Sequence, residues 1–171
     1  MALWAKIKFY HVGNTMMGAA GSTLTASSTA SGDYSVAYLY NMLEVNSWKS
    51  ANTTTPQYIS FDGGSAPAVY TADFLAIIGH NLKTAGVTVG LQYSDDNFTV
   101  NAWNAFTAFA PATDGVILKE FTSPGAYRYW RVTLSGPTAA PYMAVCIWGN
   151  KVELDYATSS FDPYEQDVKA Q

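Results

Sequence analysis

The chain has 171 residues, of which 49% are hydrophobic and only 13% charged, with a formal net charge of −4. Its nine Lys and Arg residues form no run, so the positive field that a phosphate backbone requires is missing and nucleic acid is not expected as a partner. A single Cys rules out an intramolecular disulfide, and with two His beside it a zinc cluster is not credible.

That length suits one domain that can bury a core without disulfides. Charge is well below the usual quarter of a soluble chain, while aromatics reach 15%, including 12 Tyr and 5 Trp. Such a surface either hides against partners or displays aromatics for contact.

The opening stretch MALWAKIKFYHV has lysines interrupting its apolar residues and lacks the architecture of a secretory signal. No apolar run approaches the roughly 20 residues of a membrane span, so folding in a cytoplasm and no membrane partner are the expectations. Within it, KIKFYHV alternates, setting Ile7, Phe9 and His11 against Lys6, Lys8 and Tyr10. Leu3 and Trp4 form an apolar pair without a local core and are expected to pack on a neighbouring subunit.

Residues 13–33 are small and polar, which predicts an extended loop with one short strand around Leu24. Val36, Leu39, Tyr40 and Leu43 are spaced for one short helix or helical turn. The loop from Asn41 to Trp48 offers Asn41, Glu44 and Asn46, too few oxygens to assign a calcium site, and no metal is expected. PQYISFD is a strand with Ile59 and Phe61 on one face. DFLAIIG is apolar throughout and predicts a central strand covered on both sides.

That strand ends in Gly79-His80-Asn81. Gly79 lets the backbone turn, Asn81 tolerates a left-handed corner, and His80, with no partner motif, is expected to be a hydrogen-bonded structural residue. GVTVGLQYS then places Val87, Val89, Leu91 and Tyr93 on one face. Asp95 and Asp96 could be offered as paired carboxylates, but in an SDDN turn they are expected to cap nearby amides. Trp103, in VNAWNAF, is ambiguous between core and surface platform.

In AYRYWRVTL, Trp130, Val132 and Leu134 fall together; YMAVCIWG is a second fully apolar strand. Trp48, Trp103, Trp130 and Trp148 could be sugar platforms, but Trp130 and Trp148 sit in strands and are expected in the core, with Cys146 as a small buried hydrophobe. No Gly-x-Ser-x-Gly turn supports a catalytic triad, so no catalytic or cofactor-binding residue is assigned. The end, SSFDPYEQDVKAQ, carries Phe161 and Tyr164 among acids and reads as an arm that orders on a neighbour. Many short strands, turn signals and little helix predict an all-β sandwich, with an N-terminal arm over residues 1–14, a domain over 15–156 and a tail over 157–171.

The landmarks also fall into a recognisable order: LTASSTASGD, a Trp in VNSWKS, the turn Phe61-Asp62-Gly63, DFLAIIGHNL, the turn Ser94-Asp95-Asp96-Asn97, and Tyr129-Trp130-Arg131. Over residues 23–154 this resembles the galactose-binding-like jelly-roll family of discoidin and coagulation-factor C-type domains. ADFLAIIGHNL, followed by YSDD and YRYWRV, is similar to jelly-roll virion proteins associated with the tails of tailed bacteriophages. The resemblance implies a galactose-binding-like jelly-roll β-sandwich with one short helix and extended arms. It further implies a non-enzymatic structural role in a tail, neck, baseplate or capsid surface. Partners would be other virion proteins and copies of itself. The alternative is a carbohydrate-binding module that adsorbs to a host surface glycan. No loop combines clustered Arg with an exposed aromatic pair, as the sugar- and lipid-binding members do.

Overall fold

The computed structural model describes residues 6–11, 16–64 and 69–154. Along them run β1 (Lys8–Phe9), β2 (Thr23–Ala26), a 3-10 helix (Val36–Tyr40), β3 (Trp48–Lys49), β4 (Gln57–Asp62), β5 (Phe74–His80) and β6 (Thr88–Ser94). There follow β7 (Trp103–Asn104), β8 (Ile117–Glu120), β9 (Tyr129–Ser135), β10 (Tyr142–Gly149) and β11 (Val152–Glu153). Antiparallel pairing makes a five-stranded sheet, β2-β4-β9-β6-β7, and a four-stranded sheet, β3-β10-β5-β8, while β1 and β11 form a separate ribbon.

Alternation works as the sequence suggests in the five-stranded sheet. Ile59, Val132 and Leu91 lie opposite one another on β4, β9 and β6 and are fully buried, and both sheets contribute side chains to one core. The next row, Ser60, Arg131 and Gln92, points the other way.

In β5 and β10 the alternation disappears. Phe74–Ile77 and Met143–Gly149 are buried without interruption. The register puts Leu75, Ile77, Cys146 and Trp148 on one face and Phe74, Ala76, Val145 and Ile147 on the other. Both faces are covered: Tyr10 packs edge-on against Phe74 at 5.2 Å between centroids, and Met16 Sδ accepts from Trp148 Nε1 at 3.1 Å.

Two local readings are made specific, and the one for Asn81 is corrected. The helix is a 3-10 helix that stops at Tyr40, because Asn41 caps it, its Oδ1 accepts from Leu43 N at 2.8 Å, and Met42 takes φ +61°; Leu43 is left exposed. In the N-terminal stretch Lys8 and Tyr10 turn toward β8, Lys8 pairing with Glu120 at 2.8 Å and Tyr10 half-buried, whereas Ile7 and Phe9 are exposed. At the end of β5 only Gly79 is left-handed, at φ +61°. Asn81 instead bridges two chain segments, donating Nδ2 to Ala140 O at 3.2 Å and accepting from Tyr142 N at 2.8 Å.

Candidate ligand-binding face

The register of the five-stranded sheet sets four aromatic residues side by side: Phe61 opposite Trp130, Trp130 opposite Tyr93, and Tyr93 opposite Trp103. Burial fades along this row. Phe61 and Trp130 are enclosed, Tyr93 is half-buried, and Trp103, on the edge strand β7, is 39% exposed. Tyr127 closes the group from the loop before β9, with its ring 4.4 Å from Tyr93 and 5.8 Å from Trp103.

Trp130 fixes that loop. Its Nε1 donates to the carbonyls of both Tyr70 and Tyr127 at 3.1 Å, and Tyr70 and Tyr127 bridge through their backbones. Burial, and secondarily Tyr127, raises the Tyr93 pKa, so this phenol stays neutral. The result is a rigid aromatic rim whose outermost ring meets solvent. A ring held this way can stack on the C–H face of a flat ligand at little entropic cost.

The adjacent row on the opposite face is polar. Arg131 donates Nε to Gln92 Oε1 at 2.9 Å, and Gln92 donates Nε2 to Asn104 Oδ1 at 3.0 Å, carrying the chain of hydrogen bonds to the same β7 edge. The guanidinium lies against two rings, Tyr58 at 4.2 Å and Phe98 at 4.0 Å from Cζ to centroid. Burial lowers the Arg131 pKa, and the group remains a cation.

Phe98 reaches this position through an unusual loop. Asn97 and Phe98 are both left-handed, at φ +57° and +60°. Ser94 Oγ accepts from Asp96 N and Phe98 N, and Asp96 accepts from Thr99 N, Val100 N and Asn101 N. The Ser94 hydroxyl, with the loop amides behind it, pulls the Asp96 pKa down. Asp96 therefore caps amides as the turn chemistry suggests. Asp95 accepts from Asn101 Nδ2 at 3.1 Å.

The remaining candidates are structural. His80 is buried, its Nδ1 accepting from Leu82 N at 3.2 Å while among the described residues Nε2 meets no partner at hydrogen-bond distance. Burial lowers its pKa against weaker opposing pulls from the Gly115 backbone and the Asp114 carboxylate. Trp48, Trp130 and Trp148 are core residues, and burial pushes the Cys146 thiol up beyond reactivity at neutral pH. Among the described residues no three His, Cys, Asp or Glu side chains group to hold a metal. Leu3, Trp4, Phe161 and Tyr164 lie outside the described residues.

A cluster of charges ties the ribbon to the sandwich. Lys8 and Lys151 reach Glu120 at 2.8 and 3.5 Å, Lys151 also pairs with Asp73 at 3.2 Å, and Tyr10 donates to the Glu120 carboxylate. Lys8, then Tyr10, hold the Glu120 pKa down at about 2; burial, then Glu120, pushes Tyr10 up to about 12.

No protein-family model matches the chain, and no curated protein sequence matches it. Solved structures do. The first chitosan-binding module of a chitosanase/glucanase from Paenibacillus sp. IK-5 superimposes with a TM-score of 0.63 at 19% identity, over 80% of this chain and 98% of the module. The second module of that enzyme, solved with chitotriose, gives 0.61 at 13% identity over 76% and 97%. CpGH89CBM32-5 from Clostridium perfringens, in complex with GalNAc-β-1,3-galactose, gives 0.59 at 13% over 76% and 96%. The chain has the galactose-binding-like β-sandwich fold. Against a Ruminococcus gnavus GH29 fucosidase it spans 27% of the enzyme's chain, at a TM-score of 0.64 and 11% identity.

The aromatic rim was half legible in sequence: Trp103 stood out, whereas its support by Tyr127 depends on loop packing. The Arg131 group was missed, because Tyr58, Phe98 and Arg131 are far apart in sequence and meet only on the sheet face. Its one local signal is the alternation of AYRYWRVTL, which sends Arg131 opposite Trp130 and Val132.

Proposed function

We propose that this chain is a non-catalytic carbohydrate-binding module that takes its ligand at the β7 edge. The observation that carries this is Trp103, exposed at the end of an in-register aromatic row and backed by Tyr93 and Tyr127. The fold shared with modules solved bearing chitotriose and GalNAc-β-1,3-galactose supports the reading by analogy. A glycan array tests it. Binding to a defined oligosaccharide class that is lost in Trp103→Ala is the expected result; no binding to any array member would defeat it.

A second reading, a structural component of a tailed-phage virion, draws on the sequence resemblance and one structural observation. Ile7 and Phe9 on β1 and Val152 and Leu154 at β11 are all exposed, forming an apolar ribbon surface outside the sandwich. Copies of the chain or other virion proteins would bury it. The two readings coexist in an adsorption protein that binds a host glycan. Light scattering during size-exclusion chromatography tests assembly: the virion reading expects self-association weakened by Phe9→Ser, and a strict monomer at high concentration speaks against it.

A further inference from the structure

We propose that Arg131 is a carboxylate-binding subsite and that the glycan is acidic, carrying uronic-acid residues. This rests on the carbohydrate-binding reading and names the ligand class.

Arg131 carries an uncompensated charge. Arg131 is half-buried between Tyr58 and Phe98, and among the described residues no carboxylate lies within ion-pair distance of it. The other arginine described, Arg128, is held by Asp62 through Nε at 2.7 Å and Nη2 at 3.1 Å. Removing a cation from water without an anion is unfavourable, and a fold tolerates it where a ligand completes the pair. The desolvation that lowers the Arg131 pKa is the same observation seen electrostatically.

The geometry then selects the ligand group. The rings of Tyr58 and Phe98 cover the guanidinium, and Gln92 occupies Nε. That leaves the two Nη groups of the terminal edge as the donors for a ligand. That edge fits a planar carboxylate end-on, with two charge-assisted hydrogen bonds. Phe98 is held over the cation in a left-handed conformation that disfavours a non-glycine residue, and backbone strain of this kind gathers at ligand clamps. The Arg131–Gln92–Asn104 chain runs to the β7 edge on the face opposite the Trp103 ring, so an oligosaccharide that meets both has to wrap that edge.

The test is calorimetric titration of the whole chain with trigalacturonate, with its full methyl ester and with triglutamate. Trigalacturonate should bind about tenfold or more tighter than its uncharged ester, and Arg131→Gln should remove that difference. Arg131→Lys should keep part of it, as charge without the bidentate edge. Thermal melts of both variants confirm that they fold. Equal binding of acid and ester, an unaffected Arg131→Gln, or triglutamate binding as well as the uronate would each overturn the inference. So would a complete lack of uronate binding; a neutral glycan that still binds through Trp103 would then leave the broader reading intact.

Discussion

Phe98 places its ring 4.0 Å from the guanidinium carbon of Arg131, from a left-handed backbone position that the loop around Asp96 enforces. Ser94 links loop and sheet: its hydroxyl is fully buried at the end of β6 and accepts from the amides of Asp96 and Phe98. Ser94→Ala leaves both amides without this acceptor. The expected loss is about 1–3 kcal/mol of stability by urea denaturation, with faster amide exchange across residues 96–101.

Trp130 couples the core to the rim. Its indole is buried, and its Nε1 serves the carbonyls of Tyr70 and Tyr127. Trp130→Phe keeps a ring but removes the donor and leaves a cavity. Denaturation should show a loss on the order of 2–4 kcal/mol. Ligand affinity should fall as well, because Tyr127 is no longer held against Trp103.

Gly79 has no substitute at its position. It is left-handed, and a Cβ there would stand 2.9 Å from Ala144 Cβ on the neighbouring strand. Gly79→Ala combines a conformational penalty with overpacking, roughly 2–4 kcal/mol by thermal or urea melts. Folding yield should drop for the same reason.

The Glu120 cluster predicts how stability follows pH. Glu120 ordinarily titrates near 4.5 and is held down at about 2 in the folded chain, so its contribution is complete above about pH 4.5 and is lost as pH falls toward 2. Tyr10 works in the opposite sense: raised from 10.0 to about 12, it favours the folded state below pH 10 and loses that contribution as pH rises to about 12. Urea melts across this range should show both flanks. Glu120→Gln should flatten the acid flank, and 0.5 M salt should shrink it, since the group is solvent-accessible.

Period-2 alternation made β4, β6 and β9 readable in the sequence, and the unbroken apolar runs marked β5 and β10 as doubly covered strands. Those patterns report burial, which dominates the energetics of a sandwich. In KIKFYHV, alternation shows that two faces differ and not which one packs: Lys8 and Tyr10 meet Glu120 on β8, and Ile7 and Phe9 stay exposed. The helix over Val36–Leu43 was shortened by Asn41 and Met42, a backbone effect that side-chain spacing does not encode. The Arg131 subsite depends on cross-strand register and on a strained loop, neither of which is local in sequence.

Ligand binding at the β7 edge can be followed by a heteronuclear NMR titration with an oligosaccharide selected on the array. Saturable shifts of the Trp103 indole signal and of the amides of Tyr93, Asn104 and Tyr127 are expected, with about tenfold or greater loss of affinity in Trp103→Ala and the fold unchanged. Saturable binding that leaves those signals unmoved, or an affinity that survives Trp103→Ala, would contradict it.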